Sequence, residues 1–501
     1  MRIRLSVILI IAFVFFETNL FAQDEMQLSL SQVVDILALD APDARIERLN
    51  FENEILQFQN YRKGFLPSLS LDMSPFDFNR SIVKLQRAED GRYYYVEEYS
   101  GRSNMSLHLR QKLLLTGGTL SVNSSLNYLN ELSQSRHSFS STPFAVSYSQ
   151  KLFGSRKTML MDRTIEYKKN EESIRNYCVT VSGIQSQALN LFMDVFLSLL
   201  EMQIASSNKS ATDSLLYMAK IKYENNRITE TDFKQLELQA TNNEFMKENA
   251  LKSYEDALRG LVIFLDLDKG LHEIKVEVPE FSLPLQIDIE TVRYYVEKNN
   301  PIALSNNIKW LQAEKNLFSS ELQQKFNADI NLSYGMNQYA EKFSDVYSNP
   351  SRQQSVSIGF SIPVSLWGMN RNNARIARNN YNNTKISIEK ELNEFEKKMY
   401  DVVNNYNHNV NLWVIAERSY NLAQEHYKLV VQQFAMGKSS AYELISSQQE
   451  QSSSMQNFYN AVKNVWESYF KLREMTLYDF KDKMELTDVL LKTDTYDEKK
   501  R

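Results

Sequence analysis

The chain has 501 residues, a formal net charge of −5 and one cysteine. So small a charge on so long a chain argues against a nucleic-acid partner, and a lone Cys178 leaves no intrachain disulfide framework. Length alone suggests several domains, but the prolines point to a duplication. All nine fall at 42–143 or 279–363, and none lies between Phe144 and Val278 or after Pro363. Proline breaks helices, so the two empty stretches are where long helices can run. Each follows a strand-like segment, as an internal repeat requires.

Taken in chain order, residues 1–22 read as a secretory signal. Arg2 and Arg4 precede an apolar core from Leu5 to Phe16, and Leu20-Phe-Ala22 offers a cleavage site. The core is shorter than the ~18 residues a membrane helix needs, although a retained anchor is the alternative. No cysteine follows Ala22 to carry a lipoprotein anchor, and no later run is long and apolar enough to suggest a membrane helix. The first repeat, 23–283, opens with Leu28-Ser-Leu-Ser-Gln-Val-Val-Asp-Ile-Leu37 and reaches Ala41-Pro42. The second, 284–480, opens with Ile287-Asp-Ile-Glu-Thr-Val-Arg-Tyr-Tyr-Val296 and reaches Asn300-Pro301. The spacing between the copies shrinks by about fifty residues from openings to tips, so the first copy carries an insertion. A charged tail, 481–501, is expected to trail free.

The strand-like segments alternate strictly. Leu69, Leu71 and Met73 oppose Ser68, Ser70 and Asp72; Met105, Leu107 and Leu109 oppose Ser106, His108 and Arg110. Leu120, Val122, Leu126 and Tyr128, then Phe144, Val146 and Tyr148, repeat the pattern. In the second copy Ile330, Leu332, Tyr334 and Met336 do so, followed by Val356, Ile358, Phe360 and Ile362. Period two puts each set on one face of a sheet. A soluble antiparallel sheet and a transmembrane β-barrel both fit that pattern; the secretory signal and the neighbouring helices favour the barrel. Gly117-Gly118 supplies a tight turn, so the insertion reads as one extra hairpin over roughly 104–130. Residues 79–103 and 338–354 read as long polar loops on the opposite side.

Helical composition then runs from Ser155 to about Asn226 and from Asn370 to Met436, long enough for ~100 Å each. Leu444, Gln448, Gln451, Met455, Phe458, Val462, Val465, Tyr469 and Leu472 follow a four-three spacing, a coiled-coil seam. Leu251, Tyr254, Leu258 and Leu261, and Val181, Ile184, Ala188, Leu191, Val195 and Leu199, make comparable stripes. An ordinary soluble bundle shares this spacing. Each copy reverses at a matching tip, Asn226-Arg227 and Gly437-Lys438.

This arrangement resembles the TolC-type outer-membrane efflux protein family over about 28–480. The resemblance rests on the openings ending in Ala41-Pro42 and Asn300-Pro301, and on Leu66-Pro67-Ser-Leu-Ser-Leu71. The strand-to-helix passages Phe360-Ser-Ile-Pro-Val-Ser-Leu-Trp-Gly368 and Gln150-Lys-Leu-Phe-Gly154 add to it. So do the tips Tyr223-x-x-Asn226-x-x-Thr229-x-x-Asp232-Phe233 and Phe434-x-x-Gly437-x-x-Ser440-x-x-Glu443-Leu444. It implies a mixed α and β homotrimer with two structural repeats per chain, an outer-membrane β-barrel continuing into a periplasmic α-helical coiled-coil barrel. Such a trimer serves as the exit duct of a tripartite efflux pump or type I secretion system. Its partners would be outer-membrane lipid, a periplasmic adaptor (membrane fusion) protein and an inner-membrane transporter. The extra hairpin departs from the family's four strands per protomer, implying twelve barrel strands if it stays outside and eighteen if it joins.

The resemblance further implies that Asp232 and Glu443 line a constricted periplasmic entrance, where rings of charge set ion preference; a solvated helix face is the alternative. Asn226, Arg227, Thr229, Gly437, Lys438, Ser439 and Ser440 are the expected tip contacts with the adaptor. The five histidines show no metal-ligand spacing, and no nucleophile elbow or phosphate loop appears. No catalytic residue, cofactor or metal site is therefore expected. A periplasmic adaptor subunit or a structural coiled-coil protein of the envelope is the competing reading; an adaptor would show one helical hairpin flanked by small β-domains, not two.

Overall fold

A computed structural model of the full chain describes residues 26–87, 91–132, 135–225, 228–267, 274–277, 286–325, 327–361, 367–436, 438–488 and 490. The expected signal at 1–22, the tip residues Asn226, Arg227 and Gly437, and the end of the tail lie outside them. The chain divides into two compact units. One comprises residues 52–173 and 302–392. The other comprises the chain up to Phe51, Ile174–Pro301 and everything from Asn393.

The first unit is built on one sheet. Strands β2 (Ser68–Gln86), β3 (Tyr93–Leu113), β4 (Gly118–Glu131), β5 (Arg136–Lys151), β7 (Asn327–Ala340) and β8 (Ser351–Ser361) lie in that spatial order. Every neighbouring pair is antiparallel. The extra hairpin has therefore joined the sheet, paired on both sides.

Register turns the alternation seen strand by strand into two continuous faces. Leu69, Leu109, Val122, Val146 and Tyr334 stand opposite one another across five strands, and Leu120, Tyr148, Leu332 and Val356 across four. On the other face Ser121, Ser147, Ser333 and Ser355 make a row of hydroxyls, with Arg110 continuing it onto β3. A one-residue slip anywhere would exchange these faces, so the agreement across six strands fixes the register.

The polar loop expected over 79–103 is largely strand. Residues 79–86 pair with 93–100, and the Arg87 amide donates to the Arg92 carbonyl at 2.8 Å. Charge and tyrosine suggested a loop, but cross-strand pairs such as Val83↔Val96 and Arg80↔Tyr99 suit a ribbon. The loop expected over 338–354 likewise shrinks to the segment between Ala340 and Ser351.

All four helix junctions lie at one end of the sheet. Helix α1 (Pro42–Lys63) leads into β2, α2 (Ser155–Glu224) leaves β5, α5 (Ile302–Leu322) leads into β7, and α6 (Met369–Ala435) leaves β8. The two departures are alike in backbone. Gly154 has φ +78° and Gly368 φ +85°, a left-handed turn that other residues resist. A Cβ at Gly154 would also strike Leu322. The duplication is thus kept in the dihedral angles of both passages.

The second unit is helical. Parts of α2 and α6 pack with α3 (Glu230–Leu265), α4 (Ile289–Asn299) and α7 (Ala441–Thr476). Its core includes Phe192, Leu258, Leu261, Tyr406, Tyr469 and Leu472. The expected α7 seam is buried or half-buried along its length; Leu251, expected in the α3 stripe, is exposed. Cys178 is a buried packing residue. One 18-residue window of α2 is apolar enough by composition to cross a membrane, which the sequence reading did not expect. Half of that window is buried, consistent with its role in the helical core.

Small pieces tie the ends of this unit together. Strand β1 (Met26–Leu28) pairs in parallel with β6 (Ile274–Val276). Asn300 and Asn299, beside Pro301, donate their side-chain amides to the carbonyls of Met475 (2.8 Å) and Thr476 (3.2 Å), satisfying acceptors at the end of α7. The chain after 480 does not trail at once. β10 (Met484–Glu485) pairs with β9 (Tyr478–Asp479), and Leu486 and Leu490 are buried with Tyr177, Val181 and Leu477. Their apolar side chains outweigh the charge that made the segment read as a tail.

Candidate functional site

The two tips are the first candidate, and each starts its returning helix in the same way. Thr229 is the N-cap of α3; its hydroxyl accepts from the Asp232 amide at 3.1 Å and donates to the Asp232 carboxylate at 2.7 Å. Ser440 is the N-cap of α7; its hydroxyl accepts from the Glu443 amide at 3.1 Å, and its own amide donates to Glu443 Oε2 at 3.1 Å. That reciprocal pair is a full capping box. Ser439 Oγ adds a third bond to Glu443 Oε2 at 2.7 Å. The hydroxyl of Ser439, then the Ser440 amide, hold the Glu443 carboxyl below the usual carboxylate range. Sequence reasoning picked both carboxylates for a pore and missed this local task, although Thr-x-x-Asp and Ser-x-x-Glu were legible as helix starts.

Neighbouring rings bring the copies together. Tyr223 stacks on Phe233 across the first tip, with centroids 5.2 Å apart, and Lys222 Nζ lies 5.2 Å from the ring centre of Phe434 in the second copy. Asp232, Glu443 and Lys438 are exposed, and Ser439 is half-buried. Behind the tips the packing turns polar: Asn243 Nδ2 donates to Thr212 Oγ1 at 2.7 Å, and Gln448 Nε2 to Asn208 Oδ1 at 2.8 Å. Asn208 also donates to Ser452 Oγ at 3.2 Å, which joins the first copy's α2 to the second copy's α7. Only Gln448 of this layer stood out in the sequence, because amides and hydroxyls at seam positions carry no apolar signal.

Further along the same unit, Tyr469 donates its hydroxyl to Asp479 Oδ1 at 2.6 Å, and Arg473 Nε pairs with Asp479 Oδ2 at 3.3 Å. Burial, then the Asp479 charge, drive the Tyr469 phenol far above its ordinary range. The cluster locks β9 onto α7. It is a structural clamp in which one carboxylate faces both the phenol and the guanidinium.

The second candidate is the sheet itself. Its apolar face is in register across six strands, yet Val356 is 73%, Phe360 68% and Ile358 56% exposed. No layer among the described residues covers it. The outermost strands, β2 and β8, each leave one edge without a partner among the described residues.

Comparison with known proteins agrees with this geometry. Residues 320–476 match the family model of the outer membrane efflux protein, a stretch that includes β7, β8, α6 and α7. No curated protein sequence matches the chain. Among solved structures it is similar to the CmeC outer membrane channel of Campylobacter jejuni, with 13% identity over 93% of this chain and 88% of that one and a TM-score of 0.64. VceC of Vibrio cholerae gives 9% identity over 89% and 95%, with a TM-score of 0.62. The MtrE outer membrane channel of Neisseria gonorrhoeae gives 14% identity over 89% and 88%, with a TM-score of 0.53. The chain has the fold of TolC-type outer-membrane channels, and its residues 320–476 match the outer membrane efflux protein model.

Proposed function

We propose that this chain is one subunit of an outer-membrane exit duct for an efflux pump. The observation that carries this reading is the uncovered apolar face with two open sheet edges. Lipid tolerates no unpaired backbone group, so a sheet that meets lipid must close on itself. Six strands with a polar face turned to a lumen close by joining further copies edge to edge. Three copies make an eighteen-stranded barrel, the larger of the two sizes the sequence allowed. The face that carries Ser121, Ser147, Ser333 and Ser355 then lines water, as in other wide barrels.

The helical hairpins form the periplasmic extension of the duct. Asp232 and Glu443 stand as rings of charge around its entrance. Thr229, Lys438, Ser439 and Ser440, with Asn226, Arg227 and Gly437, present the tips to a periplasmic adaptor protein, which links the duct to an inner-membrane transporter. The work is passive conduction, so selectivity falls to the lining and the entrance.

The test is the oligomer. Extracted from outer membranes, the protein is expected to require detergent, to weigh three chains by native mass spectrometry, and to separate into single chains only on heating. A monodisperse monomer that stays in solution without detergent would overturn the reading.

A further inference from the structure

The β2–β3 hairpin outruns the rest of the sheet. Pairing of β3 with β4 stops at Ser100↔Glu131, with one more bond from the Leu132 amide to the Tyr99 carbonyl at 2.8 Å. Beyond it six residue pairs, Ser81↔Glu98 to Gln86↔Tyr93, continue as a two-stranded ribbon. At 3.4 Å per residue the ribbon is about 20 Å long. It rises from the end of the sheet opposite the helix junctions, the outer end of the proposed duct.

Its two faces differ. The irregularity near Ser74 and Asp77 sits on β2, so the alternation of β3 is unbroken. Tyr93, Tyr95 and Tyr99 therefore share the face of Met105, Leu107 and Leu109, the apolar face of the sheet. Across the ribbon Arg80 pairs with Tyr99, and Lys84 with Tyr95, on that same side. The Arg80 guanidinium lies 4.8 Å from the Tyr99 ring centre, and Lys84 Nζ 4.1 Å from that of Tyr93. Glu97 is already held, by Arg80 at 3.2 Å and by the Tyr99 hydroxyl at 2.6 Å, whereas Lys84 has no ion-pair partner on this face among the described residues. Ile82 and Tyr95 between them are 68% and 71% exposed.

We infer that this ribbon lies on the outer leaflet, with its tyrosine and cation face against phosphate-bearing lipid headgroups. The inference rests on the membrane reading of the sheet. Three physical features favour a lipid surface as the occupant. The face continues directly from the one that meets the acyl chains. Tyrosine is the side chain that settles at a membrane interface, ring toward the tails and hydroxyl toward water. Lysine and arginine lay their stems on apolar surface and turn their charge to an anionic headgroup. An isolated two-stranded ribbon is also marginal in water, and contact along one face supplies the support it lacks.

Single cysteines replacing Tyr95, Tyr94 or Ile358, in a Cys178→Ala background, can be labelled with a bimane fluorophore and reconstituted into vesicles of phosphatidylethanolamine and phosphatidylglycerol. Nitroxide is carried either on the headgroup or on the acyl chain. Label at 95 is expected to lose fluorescence to headgroup nitroxide, while label at 94, on the opposite face, responds to aqueous acrylamide instead. Label at 358 is expected to respond to acyl-chain nitroxide. If 358 responds but 95 and 94 behave alike, the ribbon stands in water and this inference falls alone. If 358 ignores lipid nitroxide, the sheet is not in the membrane, and both readings fall.

Discussion

The helical seam and the sheet are similarly apolar in sequence and opposite in fate. On α7, Leu472 and Tyr469 are almost wholly buried against other helices, while on β8 Val356 and Phe360 keep most of their surface. The seam residues find their solvent inside the chain, in each other. The strand residues are aligned just as strictly, yet the described residues provide nothing to lay on them. A chain that spends fixed register on an uncovered face has its second layer elsewhere, and on the proposed reading that layer is lipid.

The contrast can be broken from either side. Leu472→Ala is expected to cost about 2–5 kcal/mol, the range for a large-to-small change in a packed core. The loss should be the same in detergent and in bilayers, measured by urea unfolding followed through helical circular dichroism. A loss that appeared only in bilayers would remove the distinction between the regions.

Ile358→Arg is expected to cost about 2–4 kcal/mol near the bilayer midplane and less toward the interfaces. Ser357→Arg, one residue away on the polar face, should be tolerated. Folding titrations in lipid vesicles compare the two directly, and equal costs would make the sheet an ordinary soluble one.

The tips separate local from collective roles. Ser440→Ala removes a helix cap and is expected to cost about 0.5–2 kcal/mol, felt as faster hydrogen exchange in the first turn of α7. Because Glu443 is held below its ordinary pKa, its share of this stability is complete above the usual glutamate range. It is lost only as pH falls through the lowered value. Protection of that turn should therefore persist through mild acid and decline below it, and Glu443→Gln should flatten the decline.

The smallest structural change tests the entrance. Asp232→Asn with Glu443→Gln keeps side chains that can still accept from the capping groups and removes only the charge. Cation preference in planar bilayers is expected to fall while the proposed trimer survives. Unchanged selectivity would leave the two carboxylates as capping residues and nothing more.

Much of this protein was legible before any coordinate. Prolines marked the duplication, because a missing amide cannot hide inside a long helix, and the bounds of α2 and α6 fall within two residues of the composition limits. Alternation marked the strands and both of their faces, because side-chain direction in a strand depends only on parity. The tip motif marked the helix starts that Thr229 and Ser440 cap. Parity does not say which strand lies beside which, however. Tertiary pairing alone put the inserted hairpin into the sheet, carried β2 and β3 through a stretch that looked like loop, and laid Leu486 and Leu490 of an apparent tail against Tyr177 and Val181. Local chemistry sets the period and the breaks of each element, whereas partners distant in sequence decide which backbone groups pair and which faces stay bare.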